Sequence, residues 1–342
     1  MEKGRVASTT GALLVAVAWV CGLLPGPGGG VAQAKKPDIT IRVVTPFAAG
    51  HILADTASEF KRRLEEDSDR YLVTVTTSVL NEQTIDPAMA SCDPAARVGE
   101  VLITGGQPLQ DYAPAYFFFN GPYVIQDYAH FVQVWRSHLG DEAQALLEAN
   151  GNLVSLGTVY RGFRQFTSNA PITGPASFPG LLLRLPPTPD WIAVWSSLGV
   201  TPVTIALGGI HDALRDGIAQ ASEGDLTQID SLHLYEVQTH LSLTSHLVGF
   251  GIAAANACFL DGIPHSDVVK IERAMRKASD WGTQQMQSRE AALLASLQGH
   301  GMTVVTPDAE AIRAAARPSI VNLFASKWTV TTWDQVLELA HH

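Results

Sequence analysis

The sequence predicts an α/β fold arranged as two lobes, each a β-sheet flanked by helices, and three observations carry that expectation. Short β-rich runs alternate with amphipathic helical stretches, 342 residues leave room for two domains with full cores, and one proline-free stretch near the C-terminus is too long for a helix confined to one lobe.

The alternation begins early. Ile39–Thr45, Tyr71–Ser78 and Glu100–Thr104 are rich in β-branched and apolar residues and read as strands. Between the first two, Leu53, Ala57, Phe60 and Leu64 share one helical face, with Lys61, Arg62, Arg63, Glu65 and Glu66 alongside. Further strands are expected at Leu153–Tyr160, Phe163–Ser168, Leu181–Leu185, Thr201–Ile205, Ser245–Ala253 and Met302–Thr306, with a helix opening near Gly209 and running through Ala213, Leu214 and Ile218. From Asp267 to Leu297 no proline interrupts the stripe Ile271, Met275, Ala278 and Trp281. A helix of ~30 residues is ~45 Å long, so it is expected to reach across both lobes.

The first 34 residues have a different logic. Lys3 and Arg5 precede an uncharged run from Gly11 to Leu24, and a Pro/Gly stretch ends in Ala32-Gln33-Ala34, the pattern of a secretory signal peptide with its cleavage site. A membrane anchor is the rival, but the run is shorter than the ~20 apolar residues a spanning helix needs, and Pro25 would break it. Cys21 suggests lipidation only weakly, because bulky Val20 precedes it. The expectation is a periplasmic protein beginning near Lys35.

Removing Glu2, Lys3 and Arg5 leaves 32 acidic against 21 basic residues, a net charge of −11 with histidines neutral. Nucleic acid is therefore not an expected partner, since phosphate binding needs a basic face. Cys92 and Cys258 would remain in an oxidising compartment; a disulfide and two buried thiols both stay open, because spacing supplies no geometry.

Catalytic signatures are missing: there is no GxSxG, HExxH, phosphate-loop lysine or metal-spaced cluster. His233, His240 and His246 are spaced by seven and six, which sets up no ready chelate, so neither a metal nor a cofactor is expected.

The informative block runs from Tyr160 to Asp190. Arg184 sits at the end of the apolar run Leu181-Leu182-Leu183, just before Pro186-Pro187. A charge there must find a partner, and a guanidinium offers a planar fork that matches a carboxylate. Strand ends are also where α/β folds commonly bind ligands. An internal Asp or Glu would satisfy the same chemistry, and residue types alone leave both readings open.

The segment Gly162-Phe163-Arg164 through Asn169, followed by Gly180-Leu181-Leu182-Leu183-Arg184-Leu185-Pro186, resembles the paired motifs of TRAP transporter solute-binding proteins in order and separation. Leu198-Gly199, Tyr235-Glu236-Val237-Gln238 and Leu243-Thr244-Ser245-His246 extend the likeness, and Gly121-Pro122-Tyr123-Val124 continues it more weakly. The resemblance implies a two-lobed periplasmic binding protein fold with hinge strands, an N-terminal lobe of residues 35–159 plus 248–290 and a C-terminal lobe of residues 160–247 plus 291–342. It implies closure around a small organic carboxylate and delivery to the membrane subunits of a TRAP transporter, without chemistry on the ligand. Arg184 would bind the acid, and Arg164 either joins it, as the matching position does in some members, or serves as a structural strand-edge arginine. From the residues themselves, Trp191 after the proline-rich turn offers either a flat wall to the pocket or cover for the core, Phe47 and Gln107 stand in loops expected to face the cleft from the other lobe, and Glu223 joins the candidate set. Two departures stand out: Gly209 where the family often has glutamate, and Gly224 where it often has asparagine. Both suggest less polar coordination and more room. A sensory protein reporting to a receptor kinase, or a periplasmic enzyme acting on a small acid, remain alternatives.

Overall fold

The computed structural model describes residues 37–339, so the leader expected over residues 1–34 lies outside the described residues. Strand β1 (Ile39–Val44) leads through helix α1 (Ile52–Asp67) to β2 (Tyr71–Thr76), and α2 (Glu82–Met89) leads to β3 (Val101–Thr104). Helices α3 (Gln107–Tyr112), α4 (Tyr128–Trp135) and α5 (His138–Gly151) precede the long strand β4 (Leu153–Ser168). A second cluster follows: β5 (Leu182–Leu185), α6 (Pro189–Ser196), β6 (Thr201–Thr204), α7 (Ile210–Arg215), β7 (Ala221–Asp225) and α8 (Leu226–Ser231). The chain then returns through β8 (His240–Asn256), α9 (Ala257–Asp261), α10 (His265–Gly299), β9 (Thr303–Val305), α11 (Ala309–Ser326) and α12 (Trp333–Glu338).

The strands form one nine-stranded sheet in the order β2-β1-β3-β8-β4-β7-β5-β6, with β9 added beside the start of β8. The two sheets expected from sequence are the two ends of this one. At one end β1 pairs in parallel with β2 and β3; at the other β5 pairs in parallel with β6 and β7. The 16-residue β4 and 17-residue β8 pair antiparallel and run through both ends.

Several local outcomes follow from backbone chemistry. The two runs expected at 153–160 and 163–168 are a single strand, interrupted in register at Gly162, whose φ is +89°. Helix α7 ends at Arg215, short of Ile218, because Gly217 takes a left-handed φ of +69° just beyond it, the conformation that stops helices at glycine. Ile218 is consequently exposed. Helix α10 is longer than expected at 35 residues; it packs on α1, β4 and α8, which belong to both ends of the sheet. Among the described residues no helix is long and apolar enough to cross a membrane.

Cys92 and Cys258, separated by 166 positions in the chain, form a disulfide with Cα atoms 5.4 Å apart. It ties the loop before β3 to α9, and closing so long a loop restricts the unfolded chain by roughly 5 kcal/mol in the chain-entropy account.

Candidate functional site

At the ends of β3 and β5, facing β4 and β8, lies a small cavity bordered by Arg161, Arg164, Arg184, Gln107, Trp191 and Gln228. Its volume is about 20 Å³, enough for about one water.

Arg184 occupies the third position of β5 and is only 2 % exposed. Its Nε donates to the Ile205 carbonyl at 2.8 Å, and the guanidinium has no carboxylate partner among the described residues. Burial pushes its pKa down to about 10, against the partial support of the Glu223 charge. The cation is thus desolvated and under-compensated, the condition under which an incoming carboxylate gains most.

The neighbouring arginines are already matched. Arg164 on β4 donates through Nε and Nη2 to both carboxylate oxygens of Glu223 on β7, and its Nη2 also reaches the Glu223 carbonyl at 3.1 Å. Burial opposes the charge on Glu223, but Arg164 and a hydrogen bond from His246 override it and hold the pKa at about 2. Arg161 donates to Asp225 at 2.8 Å and lies 4.4 Å from the Phe47 ring centre. Side chains three apart on a regular strand point to opposite faces, yet Arg161 and Arg164 both reach the cavity. The irregularity at Gly162 shifts the alternation by one residue and brings them to the same side.

Gln107 and Trp191 close the cavity from opposite ends of the sheet. Gln107 Nε2 donates to Thr188 Oγ1 at 3.0 Å, and Trp191 Nε1 donates to the Asn120 carbonyl at 2.6 Å. Trp191 also lies against Arg164, 5.1 Å from ring centre to guanidinium carbon. Its helix α6 is anchored by Asp190, which accepts from Lys327 at 2.6 Å and from Trp328 Nε1 at 2.9 Å.

The sequence-derived candidates therefore separate. Arg184, Arg164, Trp191 and Gln107 border the cavity. Phe47 and Glu223 stand one layer behind: Phe47 stacks on His51 with ring centres 4.1 Å apart, and Glu223 is engaged by Arg164 and His246. The extra room expected at Gly224 is not there. A Cβ on that residue would stand 2.6 Å from Gln228 Nε2, so the Gln228 amide already fills the space and supplies a polar group. At the other departure, near Gly209, the cavity wall is Leu207.

Sequence reasoning missed Arg161, Asn120, Glu82 and Gln228. Arg161 stood inside the informative block, but regular alternation would turn it away from Arg164. Asn120 contributes through its backbone carbonyl, which no residue type announces. Among the described residues no group of three or more His, Cys, Asp or Glu side chains is arranged to hold a metal ion.

The chain is similar to several known proteins. The sialic acid-binding periplasmic protein SiaP of Vibrio cholerae is 28% identical over 197 residues, 58% of this chain and 61% of that protein. The C4-dicarboxylate-binding periplasmic protein DctP of Rhodobacter capsulatus is 26% identical over 186 residues, 54% of this chain and 55% of that protein. Among solved structures, a TRAP periplasmic solute binding protein from Roseobacter denitrificans with bound 3-deoxy-D-manno-oct-2-ulosonic acid superposes with a TM-score of 0.80 at 24% identity, covering 88% of this chain and 99% of that one. A TRAP periplasmic solute binding protein from Shewanella oneidensis with bound succinate gives a TM-score of 0.80 at 18% identity, covering 89% and 98%. These structures share the fold. Residues 48–327 match the family described as bacterial extracellular solute-binding protein, family 7, and with so much of its length matched the chain belongs to that family.

Proposed function

We propose that the protein captures a small organic carboxylate between the two ends of its sheet and delivers it, chemically unchanged, to the membrane subunits of a TRAP transporter. The observation that carries the reading is Arg184, a buried guanidinium at the cavity without an acidic partner among the described residues, beside two arginines that have theirs. Relatives that bind sialic acid and C4-dicarboxylates support an acid as the ligand. Export through the leader at residues 1–34 accords with the extracellular family.

A cavity of about 20 Å³ cannot admit such an acid unless its walls part. The lobes of the proposal are residues 35–159 plus 248–290 and residues 160–247 plus 291–342. The boundary falls in β4 and β8, where their pairing is irregular around Gly162 and Gly249. Hinge opening there would separate Gln107 and Asn120 from Thr188 and Trp191.

A thermal-shift screen of organic acids identifies the ligand, since one at 100 times its dissociation constant stabilises by ~2.7 kcal/mol. Calorimetry then tests Arg184→Ala. Removing one partner of a buried charge pair costs about 2–5 kcal/mol, so affinity should fall about 30-fold to several thousand-fold. Unchanged affinity would overturn the assignment.

A further inference from the structure

We propose that Glu82 sets the ligand class: the acid held by Arg184 carries hydrogen-bond donors at its other end, an ammonium or hydroxyls, in place of a second carboxylate. The inference rests on the reading of Arg184 above.

It begins from the charges around the cavity. Arg161 is matched by Asp225 and Arg164 by Glu223. The groups left over are Arg184 and Glu82, both of which border the cavity. Glu82 opens helix α2 and is half-buried, and its carboxylate makes no hydrogen bond or ion pair among the described residues. A carboxylate in the first helical turn stabilises the helix dipole, which accounts for an acid at this position. It does not account for where the carboxylate lies. A Cβ added to Gly105 would stand 2.6 Å from Glu82 Oε1 and 2.9 Å from Arg161 Nη1. Only a residue without a side chain lets both groups close over the turn between β3 and α3. The Glu82 charge is also felt at Arg164 and Arg184, which puts it in their electrostatic surroundings.

When a carboxylate pairs with Arg184, Glu82 is, among the described residues, the negative charge at the cavity wall that has no ion pair of its own. A second ligand carboxylate would meet it as a like charge in a poorly solvated site, whereas an ammonium or hydroxyl would donate to it. Matched ends of this kind select by rejection as much as by attraction.

The test uses matched sets of acids of equal chain length, each set containing a dicarboxylate, a hydroxy acid and an amino acid, with the wild-type protein, Glu82→Gln and Arg184→Ala. The wild type should prefer the donor-bearing acids by about tenfold or more, and Glu82→Gln should erase or invert that preference, the size expected of one like-charge contact. Arg184→Ala should lose all of them. A wild-type preference for dicarboxylates that disappears in Arg184→Ala, or an unchanged ranking in Glu82→Gln, overturns the role of Glu82 and leaves the carboxylate reading intact. Binding that survives in Arg184→Ala, or no stabilisation by any acid, overturns the carboxylate reading and this inference with it.

Discussion

Each arginine that flanks Arg184 is held by an acid that faces a histidine. His51 Nε2 lies 3.6 Å from Asp225 Oδ1, and His246 Nε2 lies 3.3 Å from Glu223 Oε2. Both imidazoles are fully buried, and burial pushes their pKa below the ordinary 6.5, although the facing carboxylates pull the other way. A histidine whose folded pKa is depressed is protonated first in the unfolded chain. Its contribution is therefore complete above pH 6.5 and declines as the pH falls below that value, by up to about 1.4 kcal/mol per pH unit for each histidine. The carboxylates act further down. Burial disfavours their charge, but Arg161 holds Asp225 well below its ordinary 3.8 and Arg164 holds Glu223 near 2 against an ordinary 4.5. Their stabilisation is lost as pH falls from 4.5 towards 2. Denaturant unfolding across this range should show stability falling in two stages, the first beginning near pH 6.5 and reduced in His246→Gln. A flat profile between pH 6.5 and 4.5 would contradict neutral buried histidines.

At the scale of elements, the bulge in β4 does most to build the site, and it depends on one glycine. Gly162 has a left-handed φ of +89°, and a Cβ there would stand 2.7 Å from the Met286 terminal methyl and 3.1 Å from Glu290 Oε1. Gly162→Val should destabilise the protein by about 1–3 kcal/mol from backbone strain alone. It should also weaken ligand binding, because relief of that strain would shift the bulge that brings Arg161 and Arg164 to the same side. Urea titration and calorimetry check the two effects separately, and a stable variant with full affinity would show that the bulge positions nothing. The same element explains what the sequence could and could not show. Strands such as β1 and β5 announce themselves by β-branched and apolar residues. At Arg184 the end of an apolar run showed only that the charge needs a partner, and the family resemblance alone pointed that partner to a ligand. Strand β7, Ala-Ser-Glu-Gly-Asp, was not legible: all five residues are buried, but it is held by pairing with β4 and β5 and its two acids are matched by arginines on β4, a contact 59 residues distant in the chain for Arg164 and Glu223. Glu82 was obscured because no element was expected between Ser78 and Glu100, where the structure has helix α2.

At the scale of the whole molecule, a net charge of −10 offers no long-range attraction for an anion, so the proposed capture would depend on what the two ends of the sheet do at short range. They are joined by β4 and β8, braced by α10, and tied across the cavity by the bonds from Gln107 to Thr188 and from Trp191 to Asn120. Because these strands run through both ends, the proposed hinge motion would be a bending of β4 and β8, concentrated at the irregular registers between Ser155 and Phe166. In the proposed hinge, each cross-cavity bond would bias the resting balance towards closure by about 0.5–1.5 kcal/mol. Ligand adds to that bias only if it touches both ends, because a ligand shifts a conformational equilibrium only through differential affinity. Small-angle scattering should therefore record a smaller radius of gyration with saturating ligand than without it. Gln107→Ala combined with Trp191→Phe, which keeps the ring against Arg164 but removes both donors, should enlarge the ligand-free form and weaken affinity, while the saturated form stays as compact as the wild type. A scattering profile unchanged by ligand in both proteins would mean that the acid enters without hinge motion, and the small cavity would then have to widen through its side chains alone.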